Sequence, residues 1–147
     1  GECVLWPSGV LMARFLERRA EALQLCGSRL VELGAGSALP SVVAACCGSR
    51  VVATDRAAGA RYLRMHLEAN AAAVRARGGP AVQQAALSFG SEEDAARLRG
   101  AALFGEQGGP RYIVGCDILY SEALLAPVLD TLARLCGGGG GGGGGGG

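Results

Sequence analysis

Charge is scarce in this sequence of 147 residues: 18% are charged and the formal net charge is +1. A chain so near neutrality carries no broad field to gather phosphates or lipid headgroups, so neither nucleic acid nor a membrane surface is the expected partner. Although half the residues are apolar, no stretch reaches the roughly 18 uninterrupted apolar residues of a membrane span. No charged-then-apolar leader precedes a small-residue cleavage site. Histidine occurs once, as His66, with no Cys, Ser or carboxylate spaced to form a dyad with it. It receives no role, and neither does Asn70, four residues on along the same helix face. The six cysteines, Cys3, Cys26, Cys46, Cys47, Cys116 and Cys136, lack the paired spacings of a metal site or a disulfide framework. Cys46 and Cys47 lie in an apolar run and read as small buried side chains of a reducing compartment. No metal is expected, and the expected location is the cytoplasm, with the nucleus as a second compartment.

What is present fits one domain, residues 1–136, able to bury roughly two thirds of the surface its unfolded form exposes. The glycine run Gly137–Gly147 gains no side-chain burial and loses maximal backbone entropy on ordering, so it is expected to be a disordered tail. Apolar spacing over Val10, Leu11, Phe15 and Leu16 predicts a first helix entered through a Ser8 cap and running to about Arg19. Arg29 to Leu33 reads as a strand buried on both faces, and Leu39 to Cys47 as a helix with Pro40 in its first turn. A second strand covers Val51 to Thr54, ending at Asp55, and a long alanine-rich helix spans Ala58 to Arg77 before Gly78-Gly79-Pro80 stops it. A third strand is expected over Ala81 to Leu87. Ser91 and three acids then open a helix through Leu103, a fourth strand covers Arg111 to Cys116, and an amphipathic helix runs from Ser121 to Cys136. This alternation predicts an α/β fold with a mostly parallel sheet, right-handed crossovers and helices on both faces, a three-layer sandwich. In such sheets ligands bind beyond the carboxyl ends of the strands.

Those ends carry the chemistry. After the first strand, Gly34-Ala35-Gly36 offers a backbone without side-chain obstruction, and the next helix points its N-terminus at the same place. Asp55 follows Gly34 by 21 residues, close to the ~20 expected of an acid that hydrogen-bonds a ribose. Its bland alternative is a helix cap or turn former. A dinucleotide fingerprint would need a third glycine where Leu39 stands, and no Lys or Arg in the turn can meet a pyrophosphate. That disfavours a nicotinamide-dependent oxidoreductase and favours a nucleoside ligand without phosphates, such as S-adenosylmethionine. Glu32 would then lie near the positively charged methionine end, unless its side chain faces a helix N-terminus or water instead.

Four segments in order, Leu5-Trp6-Pro7-Ser8-Gly9-Val10-Leu11-Met12-Ala13-Arg14-Phe15-Leu16-Glu17, Leu30-Val31-Glu32-Leu33-Gly34-Ala35-Gly36, Val52-Ala53-Thr54-Asp55 and Gly115-Cys116-Asp117-Ile118-Leu119-Tyr120-Ser121-Glu122, resemble the methyltransferase-like protein-lysine methyltransferases of the seven-β-strand class, the methyltransferase family 16 type. The likeness covers nearly all of Cys3 to Cys136 and implies a Rossmann-like methyltransferase domain using S-adenosylmethionine on a protein substrate. By position it implies that Trp6 borders the cofactor, that Gly34, Ala35 and Gly36 line its amino-acid end, and that Asp55 holds the ribose. The family's short LxWG-like motif beside the adenine is here Leu87-Ser88-Phe89-Gly90, so Phe89 keeps an aromatic face without an indole N–H, and weaker cofactor affinity is expected. Cys116 stands where the family commonly has Ala and would offer its backbone near the base. Asp117 would position the acceptor amine or its departing proton, with Tyr120 forming a wall and a hydrogen bond of the acceptor channel.

Alternatives stay open at each point. Trp6 also reads as a plain core anchor. Asp117 also reads as the cap of the last helix, with Tyr120 packed beside it. Leu39-Pro40 is similar to a relative in this group associated with arginine, so the acceptor is lysine first and arginine second. The family's sheet has seven strands and this sequence supplies four, so the sheet is expected to be truncated before its last strands. An S-adenosylmethionine-binding fold without catalysis is therefore the other reading.

Overall fold

The computed structural model describes residues 4–100 and 109–137. The elements are α1 (Pro7–Arg18), β1 (Arg29–Leu33), α2 (Leu39–Cys46), β2 (Arg50–Asp55), α3 (Ala60–Ala76), β3 (Gln83–Ala86), α4 (Glu92–Arg99), β4 (Tyr112–Gly115) and α5 (Leu125–Cys136). Short 3-10 turns at Ala57–Gly59 and Glu122–Leu124 lead into α3 and α5. All strand pairs are parallel and the sheet order is β3-β2-β1-β4. The order reverses between β1 and β4, and the carboxyl ends of these two strands flank the crevice in which α/β sheets bind ligands.

Period-two alternation assigns the side chains of the sheet to its two faces. Val31, Leu33 and Val52 join Leu87, Ala95, Leu98 and Leu135 in a core beneath α4 and α5. Leu30 and Val51 pack on the other face with Leu16, Val42, Ala44, Ala45 and Val74, beneath α1, α2 and α3. Both faces of β1 are thus covered, which is why its run is apolar throughout. The fold is the expected α/β three-layer sandwich, Rossmann-like in its strand order.

Four local expectations need correction. The residue flanking α1 is Trp6 rather than Ser8, and no side chain caps that helix; Pro7 suits the first turn because it has no N–H to satisfy. The third strand is shorter than Ala81 to Leu87 because it is an edge, paired only with β2. The helix α4 ends at Arg99, capped at its start by Ser91, whose Oγ accepts from the Asp94 amide at 3.2 Å; residues 101–103, expected in the same helix, lie outside the described residues. Cys46 and Cys47 are half-buried against the α1–α2–α3 core rather than fully enclosed, and Cys26 and Cys136 are exposed. Cys3 and the tail beyond Gly137 lie outside the described residues.

Candidate functional site

The bend after β1 is built from alternating positive dihedrals, with φ of +60° at Gly34, +50° at Gly36 and +56° at Ala38. Glycine adopts such angles without penalty, whereas Ala38 does so at a cost of ~1 kcal/mol. Hydrogen bonds tie the bend to the end of β2: the Ala35 N–H donates to the Thr54 carbonyl at 2.8 Å and the Gly36 N–H to Asp55 Oδ2 at 3.0 Å. Asp55 Oδ1 accepts from the Arg56 amide at 2.8 Å. The glycine bend and the acid therefore meet at one place, and Asp55 is not a helix cap, since α3 is preceded by Gly59. A carboxylate accepts about four hydrogen bonds, so its two backbone donors leave room for a diol. A Cβ at Gly36 would meet nothing within 4 Å; the space beside the bend is open.

Glu32 points away from that opening. It is 2% exposed, and its Oε2 accepts from the Ser41 amide at 3.0 Å and from the Ser41 hydroxyl at 2.5 Å, in the first turn of α2. The carboxylate thus faces a helix N-terminus, where the macrodipole favours it. Burial nevertheless pushes its pKa up to about 7, against the downward pull of the two Ser41 bonds and with a small upward push from Asp55. A carboxyl raised from 4.5 to about 7 stabilises the fold fully below the lower value, and that contribution is lost as pH rises through the upper one. Its size is about 3 kcal/mol at ~1.4 kcal/mol per pH unit. Urea unfolding near pH 5 and near pH 8 should therefore show a decline in the wild type that Glu32→Gln largely removes. An identical pH slope in the variant would contradict this placement.

Phe89 stands beside the glycine bend. Its turn is pinned by the Ser88 amide donating to Asp94 Oδ2 at 2.9 Å and by the Gly90 amide donating to Thr131 Oγ1 at 2.9 Å. The half-buried ring packs on the α4–α5 core, with its tip 3.7 Å from where a Gly34 Cβ would lie. Cys116 is half-buried; burial, then the carboxylates of Glu32 and Asp117, push its thiol pKa up, so it is no thiolate nucleophile near neutrality.

Asp117 follows β4 with φ of +55°, the left-handed region that Asp tolerates better than most residues. Its Oδ2 accepts from the Ser8 hydroxyl at the start of α1. The cap of the last helical segment is instead Ser121, whose Oγ accepts from the Ala123 amide at 3.3 Å. Ser8, expected to cap α1, is thus a residue that holds Asp117, and no spacing in the sequence pointed to it. Ile118 was also missed: a Cβ on Gly34 would lie 2.8 Å from its Cγ2, and one on Gly115 2.7 Å from its Cδ1. Trp6 is 59% exposed beside this end of the sheet, which removes the core-anchor alternative. Tyr120 is 78% exposed and lines no channel among the described residues. His66 lies on α3, and its carbonyl accepts from Asn70 Nδ2 at 2.8 Å.

A family model described as lysine methyltransferase matches residues 2–140. Protein N-lysine methyltransferase METTL21A of Danio rerio is 35% identical over 135 residues, which is 92% of this chain and 56% of the relative. Protein-lysine methyltransferase METTL21E of Mus musculus is 30% identical over 132 residues, 90% of this chain and 50% of the relative. The chain spans about half the length of the curated relatives it matches. A solved precorrin-6y C5,15-methyltransferase from Geobacter metallireducens superposes with a TM-score of 0.48 at 19% identity, over 82% of this chain and 57% of that one.

Proposed function

The chain belongs to the lysine methyltransferase family, and from that membership we propose that it forms the S-adenosylmethionine-binding part of a protein N-methyltransferase whose acceptor is a lysine side chain. The observation that supports this most directly is the hydrogen bond from the Gly36 amide to Asp55, which gathers the glycine bend and a half-exposed acid at the carboxyl ends of adjacent parallel strands. The residues suit the cofactor. Asp55 can accept from both ribose hydroxyls, the open side of Gly36 leaves space for the amino-acid end, Phe89 offers a ring face to the base, and no cation in the bend demands a phosphate. S-adenosylmethionine, when bound, supplies a methyl group on a sulfonium.

The chain's own residues then have to align a nitrogen lone pair and keep that nitrogen uncharged. A lysine amine has a reference pKa of about 10.4, so a proton must leave before attack near neutrality. Asp117, fixed by Ser8 and by its left-handed backbone, positions the amine and accepts or relays that proton, while Tyr120 presents exposed aromatic surface to the incoming chain and Trp6, also exposed, borders the cofactor. The partner is a protein, and free thiols at the described cysteines suit the reducing cytoplasm or nucleus.

One observation favours a second reading, cofactor binding without transfer: at 78% exposure Tyr120 encloses no acceptor. A single assay separates the two. The sequence contains no lysine, so methyl-lysine side chains cannot arise from the chain itself. Incubation with radiolabelled S-adenosylmethionine and a cell extract, followed by acid hydrolysis, should yield labelled methyl-lysine, and Asp117→Asn should lower that yield at least about a hundredfold while leaving cofactor affinity within a few-fold. Labelled methyl-arginine alone would move the acceptor to arginine. Bound cofactor with no labelled protein would leave only the second reading.

A further inference from the structure

At the end of the sheet opposite the glycine bend, three arginines stand in one row. Arg29 opens β1 and is the register partner of Arg50, which opens β2. Arg111 precedes β4 and donates its amide to the Arg29 carbonyl at 2.9 Å, so it flanks Arg29 on the other side. Neighbouring strands lie about 4.8 Å apart, so three cationic stems rise within about 10 Å of one another. With Gln24 and the turn from Cys26 to Ser28 they line a cavity of about 550 Å³, and none of these lining residues is acidic.

Hydrogen bonds orient two of the side chains around this cavity. Arg29 Nε donates to the Gly109 carbonyl at 3.2 Å, and Arg111 Nη2 donates to Gln24 Oε1 at 3.0 Å with its guanidinium 5.4 Å from the Tyr112 ring centroid. Among the described residues the ion pairs are those of Arg97 and Arg134, and Arg50 and Arg111 take part in none of them. Like charges at directly neighbouring strand positions repel and cost stability. A net charge of +1 for the whole chain thus hides a concentrated positive site.

We infer that this cavity binds a small phosphate-bearing ligand, whose phosphate monoester group is held by Arg50 and Arg111 with Arg29 between them. Guanidinium forks match phosphate oxygens in bidentate geometry, and the terminal oxygens of a dianionic monoester serve several such forks at once. The cavity volume lies within the ~300–1,000 Å³ of small-molecule sites. At ~3.3 Å per residue, the length of β1 separates this site from the glycine bend by about 15 Å, so it is distinct from the place proposed for the cofactor.

Inorganic phosphate is the probe, titrated at constant ionic strength with chloride as the balancing anion and followed by calorimetry and thermal unfolding. Phosphate should raise Tm above the chloride control. Arg50→Gln and Arg111→Gln should each weaken phosphate binding about tenfold or more, and each should raise Tm in chloride because repulsion in the row is relieved. Arg50→Lys keeps the charge without the fork, and should bind phosphate several-fold more weakly at unchanged stability in chloride. Indistinguishable responses to phosphate and chloride overturn the proposal, as do Gln variants that bind phosphate like the wild type. A Gln variant that fails to fold overturns it as well, since the row would then be supporting the fold.

Discussion

Asp55→Ala is expected to lower the affinity for S-adenosylhomocysteine by at least about a hundredfold, measured by calorimetric titration. Hydrogen bonds to a charged group are worth about 1.5–3 kcal/mol each, and the two ribose hydroxyls proposed to meet this carboxylate would lose both, at a factor of ten for each ~1.4 kcal/mol. The same substitution takes away the acceptor of the Gly36 amide, so the bend loses its tether to β2 and must be ordered by the ligand. Asp55→Asn separates these contributions. Its remaining carbonyl oxygen can still accept from Gly36, and about a tenfold loss is expected. If Asp55→Ala binds as tightly as the wild type while remaining folded, the bend and the acid do not form the cofactor site, and the assignment of the cleft falls with them.

The second large effect is on stability. Gly34→Ala should cost about 2–4 kcal/mol in urea unfolding, from two sources that can be told apart. An alanine held at φ of +60° is strained by ~1–2 kcal/mol, and its Cβ would press into Ile118, whose Cγ2 lies 2.8 Å from the Cβ position, an overpacking worth ~1–3 kcal/mol. Truncating the partner with Ile118→Ala relieves the collision and leaves the backbone strain. The double variant should therefore recover part of the loss, with a coupling of ~1–2 kcal/mol in a double-mutant cycle. Strict additivity would mean that Ile118 does not rest on the bend. Because Ile118 stands between Asp117 and Tyr120 in sequence, this contact also joins the segment proposed to hold the acceptor to the bend proposed to hold the cofactor.

Much of the architecture is legible in the sequence. Buried strands such as Arg29–Leu33 and Arg50–Asp55 declare themselves by short β-branched and apolar runs, and the glycine bend declares itself because positive φ favours residues without a Cβ. These are local constraints, written within a few residues of where they act. The length of β3 was overestimated because an edge strand has only one partner, and pairing is not a property of the segment itself. Cys46 and Cys47 read as buried from their apolar setting, yet both are only half-buried.

The residues misread at the site share a cause. Ser8 and Asp117 are 109 positions apart, and nothing around either one announces the other. Of the placements open for Glu32, a ligand's positive end, a helix N-terminus or water, the structure has the second: its side chain turns to α2, since alternation along β1 places it on the same face as Leu30, opposite Val31 and Leu33. Summed composition likewise concealed the arginine row, since a near-zero total says nothing of where the charges stand.

From its sequence alone the chain determined which segments are strands and helices, their order, and the interval between Gly34 and Asp55, because hydrophobic period and backbone permissiveness act over neighbouring residues. Tertiary structure decided that the sheet runs β3-β2-β1-β4, and hence that Arg29, Arg50 and Arg111 stand side by side at one end while Gly36 meets Asp55 at the other. Those neighbours are created only when parallel strands pair across long connections, and the same pairing brings their like ends, and whatever chemistry they carry, to a common edge.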